Sequence, residues 1–203
     1  MTSITRRTAL GFAATLPAIG LPLSAFASDD PRVGDIVFGE ETAPVTVIEY
    51  LSLTCPHCKR FHTATWPEFK KNYVETGKVK FVMRDMFLNE PGFWAGLVAR
   101  CGGHAGYGPM VDQFFNKQSE WTSVPANQIA DEIRKIGQLN GLSPDSLDSC
   151  LSDQTYARAV FEDAHSKAKA DGVNSTPTFF INGEKVVGNR SYAEFSSLVD
   201  KHL

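Results

Sequence analysis

Residues 45–53, Val-Thr-Val-Ile-Glu-Tyr-Leu-Ser-Leu, form a β-branched and aromatic run whose one charge is Glu49. A run this apolar fits a central strand buried on both faces. Cys55-Pro56-His57-Cys58 follows almost at once. From Pro56 the spacing turns helical, with Phe61, Trp66, Phe69 and Tyr73 three to five residues apart. Proline suits the first helical position, where its missing N–H has no partner to lose. Pro67 falls inside the run and predicts a kink. Gly77 ends the helix, and residues 78–85, Lys-Val-Lys-Phe-Val-Met-Arg-Asp, read as a second strong strand. Strand, helix and strand in this order make a right-handed βαβ unit with parallel strands. The chain is therefore of the α/β class.

The pattern changes over residues 90–171, where apolar residues recur at helical spacing: Leu97/Val98/Cys101, Met110/Phe114/Phe115, Ile129/Ile133/Ile136, Leu147/Cys150/Leu151 and Ala157/Val160/Ala164. Breaks are expected at Gly102-Gly103, Pro109, Pro125, Gly141 and Pro144. Several short packed helices follow from this. The sheet resumes at residues 176–183, Thr-Pro-Thr-Phe-Phe-Ile-Asn-Gly, with a hairpin leading into Lys185-Val186-Val187. Ser191 starts a last helix, with Glu194 placed for a capping box. A short strand is also expected at Ile36-Val37-Phe38. The boundaries read as 28–88 (βαβ), 89–171 (helical insertion) and 172–203 (ββα).

Residues 1–27 stand apart. Arg6 and Arg7 precede an uncharged run from Thr8 to Ala27, and Ala25-Phe26-Ala27 offers the small residues of a cleavage site. This reads as a secretory signal peptide cleaved after Ala27. A membrane anchor is the alternative, since the run is nearly long enough to span a bilayer; Pro17, Pro22 and the cleavage site oppose it. Thr5-Arg6-Arg7-Thr8 also resembles a twin-arginine signal, so the export route stays open. Export from a bacterial cytoplasm leads to an oxidising compartment, where disulfides persist. The 203-residue chain has a net charge of −3 and no basic run, so it lacks the electrostatic footprint of a nucleic-acid binder.

The spacing of Cys55 and Cys58 suits zinc, haem or redox chemistry. Tetrahedral zinc usually takes a second close ligand pair, which the distant Cys101 and Cys150 do not form. His62 could reach from the same helix, but no fourth ligand is apparent. Covalent haem needs a histidine directly after the second cysteine, where this chain has Lys59. No metal or cofactor is called for. A CxxC at the end of a strand and the start of a helix is a redox signal. Unpaired N–H groups and a partial positive charge at the helix N-terminus stabilise a thiolate there. The pKa of Cys55 should therefore be lowered. Cys58, one turn further in, should be more buried. That makes Cys55 the exchanging sulfur and Cys58 the resolving one. His57 can donate a hydrogen bond or a positive charge toward Cys55, or is simply an exposed residue of the helix start. Stabilising the reduced thiolate makes the disulfide a stronger oxidant. The neighbours of Glu49 favour a buried position over an exposed edge, and a buried carboxyl has a raised pKa that suits it to relay a proton. Thr176-Pro177, between a loop and a strand, fits either a cis turn or an ordinary trans proline.

Cys55-Pro56-His57-Cys58, Thr176-Pro177 and the helical block between two halves of a sheet resemble the DsbA family of thiol-disulfide oxidoreductases. The resemblance covers roughly residues 33–203. It implies a thioredoxin fold with an inserted α-helical domain and a periplasmic location. It makes Cys55 the nucleophile and Cys58 its partner, with Pro56 and His57 between them. It also makes Pro177 a cis-proline facing the pair, and Glu49 an acid beneath the active site. The Thr176 backbone would then offer an edge for an extended substrate strand. Cys101 and Cys150 form an even remainder in an exported chain, which favours a structural disulfide over two buried thiols. Some members of the family carry such a pair.

The leading expectation is a monomeric oxidase. It would pass its disulfide to unfolded exported proteins with free thiols and be reoxidised by a DsbB-like membrane partner. A disulfide isomerase or reductase is the first alternative. The short stretch before the first long strand, too small for a dimerisation domain, opposes it, and Thr176 before Pro177 keeps it open. A non-enzymatic peptide-binding chaperone is the second.

Overall fold

The computed structural model describes residues 30–203. The expected signal peptide, with cleavage after Ala27, lies outside the described residues. The chain forms β1 (Ile36–Phe38), β2 (Val45–Leu51), α1 (Pro56–Ala64), α2 (Trp66–Phe69), a π-helical turn (Lys70–Val74) and β3 (Val79–Asp85). Six helices follow: α3 (Glu90–Cys101), α4 (Gly103–Asn116), α5 (Gln118–Thr122), α6 (Ala126–Leu139), α7 (Pro144–Ser152) and α8 (Gln154–Ala170). The hairpin β4 (Thr178–Ile181) and β5 (Glu184–Val187) and the helix α9 (Tyr192–Asp200) complete it.

The sheet runs β1-β3-β2-β4-β5. Only β2 and β3 pair in parallel; β1, β4 and β5 are antiparallel to their neighbours. The turn from β4 to β5 is Asn182-Gly183, with φ of 45° and 90°. A two-residue turn with both φ positive matches the twist of the strands it joins, and Asn-Gly tolerates it best. Ser191 and Glu194 cap α9 reciprocally. This satisfies N–H groups that would otherwise face solvent unpaired.

Strand periodicity decides what each β2 side chain meets. Val45, Val47 and Leu51 join the main core, which also holds Phe61, Phe69, Phe81, Phe179 and Phe195. Tyr50 packs on the other face with Ala168 and Val173. Glu49 shares the parity of Val47 and Leu51, so it enters the main core. That core runs without interruption into the helical block through Ala95, Val98, Met110, Phe114 and Ile133.

Two proline expectations change. Pro67 does not kink one helix; α1 stops at Ala64 and Pro67 sits in the first turn of α2. Its missing N–H costs nothing there. Pro109 does not break the chain; it lies inside α4. An interior proline costs about 3 kcal/mol. Tyr107, Met110, Val111, Phe114 and Phe115 are all buried on that helix. At about 1.5–3 kcal/mol for each large apolar side chain, their burial outweighs the lost bond.

Among the described residues no helix is long and apolar enough to cross a membrane. Cys101, at the end of α3, is disulfide-bonded to Cys150 in α7, across 49 residues of sequence. Closing a loop of that size restricts the unfolded chain by about 4 kcal/mol. Replacing both cysteines by alanine should lower the unfolding free energy by about 2–4 kcal/mol, read from a denaturant titration.

Candidate active site

β2 ends at Leu51, and the chain turns through buried Ser52 and Leu53 into Cys55. The Cys55 N–H donates to the Ser52 carbonyl at 3.0 Å. Cys55 is the N-cap of α1, in extended backbone conformation, with Pro56 as the first helical residue. The sulfur thus stands at the end of the helix where N–H groups lack partners. Cys55 is 5% exposed and Cys58 is fully buried, and both are free thiols.

The two sulfurs are driven in opposite directions. Cys55 is lowered from 9.0 to about 5. The largest cause is a hydrogen bond from the Cys58 thiol; burial opposes it, and the Thr176 side chain and the N–H groups of Cys58 and His57 add to it. Cys58 is pushed well above 9.0 by burial first, and then by the Cys55 sulfur and the Glu49 charge. At neutral pH, one charge resides on the sulfur that faces outward.

The Thr176–Pro177 bond is cis. The Cys55 thiol donates to the Thr176 carbonyl at 3.3 Å. The buried Thr176 hydroxyl has no partner while Cys55 is a thiol, and is free to turn its proton onto the thiolate. His57 is exposed at the start of α1. Its ring nitrogen accepts from the Arg60 guanidinium, and no hydrogen bond runs from the ring to Cys55 among the described residues. The His57 backbone N–H is among the groups that stabilise the thiolate.

Glu49 is fully buried, and its two carboxylate oxygens lie 3.2 and 3.0 Å from His62 Nε2. His62 is on α1, one turn beyond Cys58. In the sequence His62 stands out only as a candidate metal ligand. Gln118 of α5 does not stand out there, yet it donates to the Leu53 carbonyl at 2.8 Å and to the Cys55 carbonyl at 3.1 Å. Lys59 reaches Ser119 at 3.0 Å, and Thr54 donates to Asn89 at 3.3 Å. The helical block therefore grips both sides of the CxxC. Nothing in the local spacing of Gln118 marks this role, which needs the fold to bring α5 over α1.

The thioredoxin family model matches residues 32–201. The chain belongs to the thioredoxin family. It is 34% identical over 188 residues to a Rickettsia conorii protein named for protein-disulfide oxidoreductase activity, covering 92% of this chain and 66% of that one. The chain thus spans just under two thirds of the length of that relative. It is 27% identical to disulfide bond formation protein D of Bacillus subtilis, covering 87% of this chain and 81% of the other. Among solved structures it superimposes on Wolbachia pipientis alpha-DsbA1 with a TM-score of 0.75 and 27% identity, over 83% of this chain and 90% of that one. The fold is a thioredoxin fold of the DsbA type.

A depressed thiol pKa stabilises the folded, reduced protein above that pKa. Folding stability of the reduced form should rise as pH goes from about 5 to about 9, and this contribution is absent below about 5, where both states hold the proton. Above about 9 the raised Cys58 works in the opposite sense. Thr176→Val removes one hydroxyl donor to the thiolate and should raise the Cys55 pKa by about one pH unit. Titrating the ultraviolet absorbance of the thiolate measures it.

Proposed function

We propose that the chain is a periplasmic thiol-disulfide oxidase that donates a Cys55–Cys58 disulfide to exported, folding proteins. The observation that carries this reading is the contrast at one helix turn: Cys55 lowered to about 5 beside a buried Cys58 raised well above 9.0. A low-pKa sulfur is a good leaving group and a stable thiolate. Both properties favour giving a disulfide away.

A substrate thiolate attacks Cys55 Sγ of the oxidised pair. The Cys55–Cys58 bond breaks, a mixed disulfide forms and Cys58 leaves, taking a proton from its buried surroundings. A second substrate thiolate then attacks the substrate sulfur of the mixed disulfide. The substrate gains a disulfide, and Cys55 departs as the thiolate. The chain is left with two electrons more, which a DsbB-like membrane partner would remove. The Thr176 backbone, hydrogen-bonded to Cys55 before Pro177, is the edge on which an extended substrate segment would lie. Glu49 would supply the proton that Cys58 needs. The protein would act as a monomer after cleavage at Ala27.

Two assays separate this reading from reshuffling or simple chaperoning. The oxidised protein should oxidise a reduced, unfolded substrate rapidly and be poor at refolding a scrambled one. Cys55→Ser should abolish the oxidation altogether. Strong isomerisation with weak oxidation would sink the proposal, as would undiminished rescue of substrates by the Cys55→Ser protein.

A further inference from the structure

Glu49 is sealed in the core, so a proton that it gives to Cys58 or takes from it has to be exchanged with water. Among the described residues its hydrogen-bonding side chain is His62. The imidazole is 3% exposed. It stacks on Phe115 of α4 at 4.5 Å between ring centroids and meets Phe61 edge-on. This packing fixes the ring with Nε2 toward Glu49. The other ring nitrogen, Nδ1, is buried and has no hydrogen-bond partner. A buried polar atom without a partner costs about 1–3 kcal/mol. A purely structural ion pair gives no reason to leave it so.

His62 also lines a cavity of about 330 Å³, together with Lys70, Asp112 and Asn116. Cys55 does not line it. Asp112 comes from α4, and Lys70 comes from the π-helical turn and is paired with Glu75 at 3.4 Å. Burial raises the Asp112 carboxyl, opposed first by the charge of His62 and then by that of Lys70. The charged and titratable groups around the imidazole are thus Glu49 from β2, Cys58 on its own helix, Asp112 from α4, Lys70 from the π-helical turn and Glu75 just after it.

We propose that His62 is a positioning residue that acts through Glu49, passing protons between the Glu49–Cys58 pair and solvent by way of the polar cavity that Asp112 also lines. The proposal rests on the oxidoreductase reading and adds the route by which its proton enters and leaves. An imidazole suits this because it can take a proton at one nitrogen as it releases one at the other. When Cys58 attacks a mixed disulfide on Cys55, the Cys58 thiol gives its proton to Glu49, which passes it to His62 Nε2. Nδ1 releases a proton into the cavity. The Cys55–Cys58 disulfide forms, and the other sulfur leaves as a thiolate. Cys58 is oxidised and the departing sulfur reduced, so the electrons balance. In the donating direction the same proton path runs backward.

The test uses the full chain carrying a mixed disulfide between Cys55 and glutathione, with glutathione release followed against pH. His62→Gln keeps an amide donor for Glu49 but cannot carry a proton. It should slow release about a hundredfold, the low end of what positioned acid–base groups contribute. Its pH dependence should move up toward the range of the isolated Cys58 thiol, while the Cys55 thiolate titration stays where it was. His62→Ala should regain rate when imidazole is added to the buffer. Asp112→Asn, in the cavity lining, should slow release several-fold. Wild-type rate and pH profile in a folded His62→Gln protein would overturn the proposal. So would a slow His62→Ala protein that imidazole does not restore, or an Asp112→Asn protein with unchanged release. Failure of the oxidoreductase reading itself looks different: release would then be as fast in Cys58→Ser as in the wild type.

Discussion

The N–H groups that open a helix lack partners within it, and at the start of α1 they lie beside a sulfur whose charged form they stabilise. The rest of the site follows from that contact. For Cys55 to cap the helix, β2 has to end buried at Leu51 and the chain has to turn within three residues, which Ser52 and Gln118 hold by hydrogen bonds to its backbone. For the helix to begin at the next residue, that residue must do without its N–H, and Pro56 does. For a thiolate to persist there, other donors have to converge on it, and Cys58 and Thr176 do. Each of these conditions concerns one sulfur atom, yet they come from β2, α1, α5 and the loop before β4.

The second consequence is asymmetry. The same helix that stabilises charge at its first position carries Cys58 into a core where charge is costly. The two cysteines are close in sequence and belong to different electrostatic environments. A fully buried carboxylate below them adds to the cost on Cys58. Buried acids are expensive unless paired, and Glu49 is paired with His62 inside an aromatic core. A chain that needed only stability would fill this space with apolar side chains at no loss. The polar pair at this position is intelligible as chemistry.

Much of this was legible in the residues. The β2–α1–β3 unit, the Asn182-Gly183 hairpin and the capping box of α9 rest on local rules: period-two burial, a positive-φ turn and reciprocal capping. Local rules misjudged Pro109, because its cost is set against the burial of five neighbours that only the packed helix reveals. They left the His57 ring between two parts, and in the fold it meets Arg60 one turn on. Gln118 and His62 were beyond their reach as site residues. A glutamine in a polar stretch and a histidine one turn past a CxxC look like ordinary surface and helix residues until α4 and α5 close over them.

By itself, the sequence determined the class of fold, the place of the CxxC between a buried strand and a helix, and the sense in which Cys55 is perturbed. Those depend on interactions within one turn or one strand, whose geometry the backbone sets. Only the tertiary structure decided that Gln118 meets the loop and Glu49 meets His62, and it alone brought together Thr176 with Cys55 and Cys101 with Cys150, two meetings that the family resemblance implied. These pairs are separated by up to 121 residues. Contacts at such separations are chosen by how whole elements pack to bury their apolar faces, and no local pattern encodes that choice residue by residue.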